Sequence, residues 1–327
     1  MIRLPDTIST VDSEPSIISQ INRDPQEAIV DAGESEPTRL PSHEVHQEPM
    51  PASITRASGY GGITVDHINA RSSVTRLTAH SPLKLLVPRH NAQAAWIFGS
   101  TYGGGLVEGD HIDLDVRVNS GATAMLGTQA STKIYSCAGG RACVQSLNAT
   151  VEEDALLVLS PDPVTCFADA IYEQRQRFDL ASRGSIISID WFTAGRVARG
   201  ERWAFRKYQS RTEIFVNGSR LVHDAMVLDP GDGPIAAPHR VGRYDCIATV
   251  FVLGPRVADM AKNAAKQVSE QPIGKRLPLI QSASELPGGG VLMRAAGVTT
   301  QLMAAWLREK LSPVVSQLGD DPWGRKW

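Results

Sequence analysis

A strict two-residue alternation limits what this chain can fold into. In HIDLDVRV, residues 111–118, Ile112, Leu114, Val116 and Val118 alternate with His111, Asp113, Asp115 and Arg117. Successive side chains of a strand point to opposite sides, so this is a strand with one buried and one wet face. Ser120-Gly121 then turns the chain, and Ala124-Met125-Leu126 with Gly127-Thr128-Gln129 is expected to continue the sheet. Further short strands are expected at 144–151, 156–159, 175–180 and 186–192, at the spacing of an all-β fold. In EIFVNGSRLVH, residues 213–223, Asn217-Gly218 suits the positive φ angles of a two-residue type I′ hairpin turn. DCIATVFVL, residues 245–253, reads as a strand buried on both faces.

The period then changes. In PRVADMAKNAAKQVSE, Val257, Met260, Ala261, Ala264, Ala265 and Val268 mark one helical face, with Pro255 suited to the first turn. After a glycine-rich turn at 287–290 and a short strand at 291–293, a second helix is expected over 300–311. Thr299 or Thr300 caps it, and Leu302, Met303, Trp306 and Leu307 are its buried residues. The fold class is mainly β with two C-terminal α-helices. A chain of 327 residues has room for two average domains, yet all-β folds often exceed 200 residues as one unit. Residues 59–327 are therefore read as a single β-rich domain. Residues 1–58, punctuated by proline from Pro5 to Pro51 and rich in Asp, Glu and Ser, are read as a flexible extension with too little to bury.

GGGLVEGD, residues 103–110, raises the question of a phosphate loop. Such a loop needs GxxxxGK[ST] running into a helix, whose amide groups face the anion. No Lys-Ser/Thr pair follows Gly109, and the next element alternates with period two. The dinucleotide GxGxxG also requires a following helix. The stretch is expected to be a glycine-rich turn leading into a strand.

Other chemistries are excluded in the same way. A formal net charge of −2 provides no basic field for nucleic acid. MIRLPDTISTVDSEPSIISQ has no basic cluster ahead of an apolar run, and no segment offers the ~20 apolar residues of a membrane helix. Cys137, Cys143, Cys166 and Cys246 lack CxxC spacing, so neither a disulfide framework nor structural zinc is expected, and a cytoplasmic setting fits. His43 and His46 lie in the extension, and His67, His80, His90, His111, His223 and His239 stand singly. Cys137 and Cys143 flank AGGRA, read as a loop tip with nothing to complete a coordination shell. No GxSxG elbow is present. Ser131, Thr132 and Lys133 in QASTKIY fit a Ser/Lys dyad or sheet residues facing a polar interior.

Two strings carry charge into apolar surroundings. LSPDPVTCF, residues 159–167, sets Asp162 between two prolines. WFTAGRVARGERW, residues 191–203, encloses Arg196 and Glu201 with Gly195, Gly200 and aromatics. Buried charges need partners. Three readings are open: an Arg–carboxylate pair that pins a loop, interior carboxylates forming a polar path for a cation, or an acid/base pair of a β-fold glycoside-type hydrolase. The last requires Asp162 and Glu201 to face each other about 5–9.5 Å apart across an open cleft.

In order and spacing across residues 76–327, these strings resemble the UreD/UreH family of urease accessory proteins. The resemblance runs through LTAHSPLKLLVP, YGGGLVEGDHIDLDVRVNSGA, TQASTKIY, LSPDPVTCF, GRVARGE, RTEIFVNG, AWLREKL and the terminal WGRKW. It implies a β-helix-like or distorted-barrel fold of many short strands, and a scaffold rather than an enzyme. Its implied partners are a UreF-like accessory protein, a UreG-like GTPase and apo-urease, with no tightly bound cofactor and nickel in transit through an internal passage. By position, Asp162 and Glu201 would lie on that path, supported by Ser131, Thr132 and Arg196. The helices at 255–270 and 300–311 are candidates for the UreF-like contact, with apolar faces expected to be consumed by the protein's own sheet. Glu108 stands where the family usually has glycine, so a negative φ or strain is expected there. The N-terminal extension falls outside the bacterial pattern.

Overall fold

In the computed structural model, which describes residues 59–89, 92–272 and 274–323, alternating strands and continuously apolar strands go to different sheets. The strands begin with β1 (Gly59–Ile68), β2 (Arg71–Ala79), β3 (Leu83–Leu86), β4 (Ala95–Thr101), β5 (Gly105–Leu106) and β6 (His111–Val118). Next come β7 (Thr123–Thr128), β8 (Thr132–Ile134), β9 (Cys143–Val151), β10 (Leu156–Ser160), β11 (Val164–Cys166) and β12 (Ile171–Leu180). The last are β13 (Ser185–Thr193), β14 (Lys207–Val216), β15 (Ser219–Leu228), β16 (Cys246–Leu253), β17 (Leu279–Leu286) and β18 (Gly290–Gly297). Helix α1 (Ala258–Ser269) follows β16, and α2 (Thr300–Leu311) and the single turn α3 (Val315–Leu318) follow β18. The expected extension, His43, His46 and His90, and all but the first residue of WGRKW, lie outside the described residues.

One sheet has the order β15-β14-β12-β9-β6-β1-β2, and the other β17-β18-β16-β13-β10-β7-β4-β3. Within the first, β1, β6, β9, β12 and β14 run parallel. Within the second, β4, β7, β10 and β13 do the same. Short β5, β8 and β11 form a narrow parallel ladder of their own, and β11 also joins β13. The chain visits these ladders in rotation, β6 to β7 to β8 and then β9 to β10 to β11, so each circuit stacks on the one before. Parallel neighbours need a long connection; here the rest of the coil supplies it. The result is a β-solenoid of stacked coils, as the resemblance implies. Antiparallel pairs finish its ends: β1 with β2, β3 with β4, β14 with β15, and β16 with β13 and β18.

This topology corrects one expectation. Residues 123–128 do not continue the sheet of β6; the turn at Asn119–Ala122 carries the chain into the second sheet. Alternation specifies that a strand has two faces, but not which sheet holds its neighbour.

Burial explains the two strand classes. Ala124, Leu126, Leu157, Leu159, Ile186 and Phe192 face the first sheet across the solenoid core. Their alternates Met125, Leu156, Val158, Ile187, Ile189 and Trp191 face outward into a second core. Helix α1 covers that outer face with Met260, Ala261, Ala264 and Val268, and α2 with Met303, Trp306, Leu307 and Leu311. A strand buried on both sides reads as an apolar run, and each such Leu, Ile or Val contributes about 1.5–3 kcal/mol. The helices' apolar faces are consumed by the protein's own sheet, as expected. Thr299 caps α2 by accepting from the Leu302 amide at 3.2 Å. No helix among the described residues is long and apolar enough to cross a membrane.

Candidate functional site

Between the two sheets lies a cavity of about 160 Å³ bordered by Asp162, Asp190, Ser131, Thr132, Gln174 and Gln176, among others. A water needs roughly 10–15 Å³ on this scale, so the space has room for several. Asp162 sits on the bend after β10, only 6% exposed. The Thr128 hydroxyl donates to its Oδ2 at 2.9 Å and accepts from its backbone N–H at 2.7 Å. The bend itself is held by Trp191, whose Nε1 donates to the Pro161 carbonyl at 2.8 Å. Asp162 also borders a space of about 10 Å³ beneath α2, with Ser160, Trp191, Leu307 and Trp323. It therefore stands between the solenoid interior and the helix-covered side. Ser131 and Thr132 share the cavity; Lys133 is exposed and does not, which leaves the dyad without its base.

Asp190 was not among the sequence candidates. It lies on β13, where the inward positions carry Ser188, Asp190 and Phe192. Ser210 Oγ donates to Asp190 Oδ2 at 2.6 Å. Burial pushes the Asp190 carboxyl above its ordinary value, against the opposing effect of the Ser210 hydroxyl and the nearby Gln174. Around it the first sheet turns polar on its inner face. One rung of its ladder is Gln145, Gln174 and Ser210, and the next includes Gln176 and Thr212. The Tyr172 hydroxyl lies 2.7 Å from Gln145 Oε1 and 3.1 Å from Gln174 Oε1. Ser188 Oγ is buried with no hydrogen-bond partner among the described residues. The signal was present in the sequence: in IYEQRQRF the inward positions of β12 run Tyr172, Gln174, Gln176, Phe178, placing two amides on a core face.

Arg196 and Glu201 form a different constellation, away from the cavity lining. Both lie on the loop leaving β13, and the guanidinium grips the carboxylate in a fork, with Nε to Oε2 at 2.8 Å and Nη2 to Oε1. Arg196 also lies over the Phe167 ring at 4.0 Å. The Ala168 amide donates to Glu201 Oε2 at 3.2 Å. The Arg196 hydrogen bond holds the Glu201 carboxyl below its ordinary value. Gly195 permits the approach: φ is +103°, and a Cβ there would stand 2.6 Å from the Glu201 carbonyl and 2.8 Å from that of Cys166. This is the loop-pinning geometry. Asp162 and Glu201 do not share the cavity, and the acid/base reading draws no support from this arrangement.

Cys137 and Cys143 are buried, with their sulfurs 3.9 Å apart, rather than exposed on a loop tip. The sequence AGGRA between them is turn, but its flanks fold inward because Cys143 begins β9. Burial pushes the Cys143 thiol up to about 12 and also raises Cys166. The Cys143 thiol donates to the Val107 carbonyl at 3.0 Å and the Cys137 sulfur accepts from the Ile171 amide at 3.4 Å, so both are tied into the surrounding backbone. Among the described residues no cluster of three or more His, Cys, Asp or Glu could hold a metal ion. Glu108 has no positive φ. Its carboxylate accepts from the Gly139 amide at 2.8 Å and the Arg141 amide at 3.1 Å, tying the 103–110 turn to the turn after β8. That turn also contains β5, the strand of the narrow ladder, so it does more than lead into β6.

The model of the UreD urease accessory protein family matches residues 58–325. The chain is 44% identical over 270 residues to a urease accessory protein UreD of Sorangium cellulosum, covering 83% of this chain and 85% of that protein. It is 40% identical over 278 residues to a UreD of Anaeromyxobacter sp., covering 85% and 92%. With a urease accessory protein D of Oryza sativa subsp. japonica it shares 35% over 301 residues, covering 84% and 97%.

Proposed function

The chain belongs to the UreD family of urease accessory proteins, and on that premise we propose that it is a non-enzymatic scaffold that helps conduct nickel to apo-urease. It works in the cytoplasm, bound to a UreF-like accessory protein and a UreG-like GTPase, with nickel as cargo and no resident cofactor. The observation that carries this reading is the cavity between the sheets, which Asp162, Asp190, Gln174, Gln176, Ser131 and Thr132 border. Hard oxygen donors hold a cation without the grip of thiolate or imidazole clusters, which suits a passage rather than a store. Asp162 lies where the cavity approaches the space beneath α2, and Asp190 with Gln174 and Ser210 supplies oxygen donors deeper inside. Ser131 and Thr132 add hydroxyls to the wall. Glu201 and Arg196 contribute by fixing the loop after β13.

The test is co-expression with urease and its accessory proteins, followed by nickel content of the purified urease and by co-purification of the partners. Asp162→Ala lowers nickel per urease while the complex stays intact. Adding Glu201→Ala deepens the loss. Full loading in the double variant would remove the passage, and failure to retain any UreF-like protein would remove the scaffold.

A further inference from the structure

At the end of the second sheet, β17 is an edge strand: among the described residues nothing pairs with its outer side. Leu279, Ala283, Met293 and Ala295 of β17 and β18 face the helices. The opposite face carries Ile280, Ser282, Arg294 and Ala296 and opens into a groove of about 870 Å³. Its floor is apolar, with Ile247, Ala296 and Ile280, the last 43% exposed. Its rim is cationic: Arg240, Arg243, Arg276 and Arg294 border it, and among the described residues no Asp or Glu does.

The four arginines are not equivalent. Arg294 is paired with Asp224 of β15. Arg240 donates to the carbonyls of Asp229 and Gly233 and so holds its own loop. Arg243 reaches only the Arg276 carbonyl, at 3.2 Å. Both Arg243 and Arg276 are exposed, and among the described residues neither has a carboxylate partner. Two unneutralised guanidinium groups thus flank an apolar floor beside an open strand edge, in a chain whose formal net charge is −2. Edges of this kind are usually blunted by charge, proline or a covering element. Here β17 carries one charged residue, Glu285, near its far end.

We propose that an acidic, extended segment of a partner protein adds as a strand to the open edge of β17, with side chains on its groove side against Ile280 and carboxylates at the start of β17 set against Arg243 and Arg276. Backbone pairing supplies the affinity of such a strand, and alternate side chains supply its specificity. The apolar floor and the strand edge select a peptide over a nucleic-acid backbone, which offers neither apolar side chains nor ladder hydrogen bonds. The proposal stands independently of the nickel passage, which lies inside the solenoid.

The experiment is fluorescence anisotropy on the full chain with a short, labelled, end-capped peptide alternating glutamate with valine. The peptide binds, and the same peptide built on lysine does not. Arg243→Glu with Arg276→Glu weakens binding about tenfold or more, the scale of two charge-assisted contacts, with thermal unfolding unchanged because both side chains are exposed. Ile280→Glu, which leaves both arginines in place, weakens it too. N-methylation of alternate peptide amides removes the ladder donors and abolishes binding. The proposal is overturned if the acidic and basic peptides bind alike, if neither variant changes affinity, if the N-methylated peptide binds as well, or if a single-stranded oligonucleotide binds more tightly than the acidic peptide.

Discussion

Asp190 shows a conflict between stability and use within one side chain. Its pKa in the folded protein lies above the unfolded carboxylate value of about 3.9. The folded state therefore keeps this proton at pH values where the unfolded chain has lost it, and stability falls as pH rises through that window. Asp190→Asn keeps an acceptor for the Ser210 hydroxyl and removes the buried charge. The expected outcome is a higher urea midpoint at pH 7, little change at pH 3, and less nickel per co-expressed urease. A variant that is no more stable at pH 7 would contradict the assigned burial cost. Glu108 has the opposite sign: its carboxyl is held low by the Gly139 and Arg141 amides. Its contribution is present above about pH 4.3 and is lost as pH falls through the lowered value. Glu108→Ala is expected to speed hydrogen exchange at the Gly139 and Arg141 amides at pH 7. Unchanged protection would mean that the two turns are held by something else.

The elements divide into those specified locally and those specified by their neighbours. Helix α2 carries its own start signal, and its sequence range matches the observed Thr300–Leu311. Thr299→Ala removes the side-chain acceptor for the Leu302 amide and is expected to cost about 1 kcal/mol in chemical unfolding. A Thr299→Ser variant that retains the cap should recover most of it. The β14–β15 hairpin is also local, since Asn217 and Gly218 take φ of 49° and 76° as a type I′ turn requires. By contrast, β17 has an exposed, polar-rich sequence, and only its pairing with β18 makes it a strand. The sequence contained the polar rung of β12 but left it unread, because an alternation test counts apolar residues and passes over amides on the same face.

At the scale of the molecule, the outer core depends on the C-terminal segment. The apolar outer face of the second sheet, including Ala248, Val250 and Met293, packs against α1 and α2. A chain ended after Val298 loses Met303, Trp306, Leu307 and Leu311 from that core and leaves a broad apolar face in water. It is expected to bind anilinonaphthalene sulfonate strongly and to aggregate at concentrations where the full chain does not. A monodisperse truncated chain without dye binding would show that the outer core is closed by other means.

The strand periods, the two late helices with their buried faces and the hairpin turn are legible in the chain alone, and the order of its strings carries the family. The strand periods, helices and turn depend on residues within a few positions of one another, where sterics, capping and alternation act directly. That β6, β7 and β8 go to three different ladders, that β5, β8 and β11 form a ladder of their own, and that Asp190 and Asp162 border one cavity while Glu201 does not, are matters of tertiary folding. Each of those depends on the stacking of coils roughly thirty residues apart, where register is set by side chains meeting across the core, and a linear pattern contains no record of which ones meet.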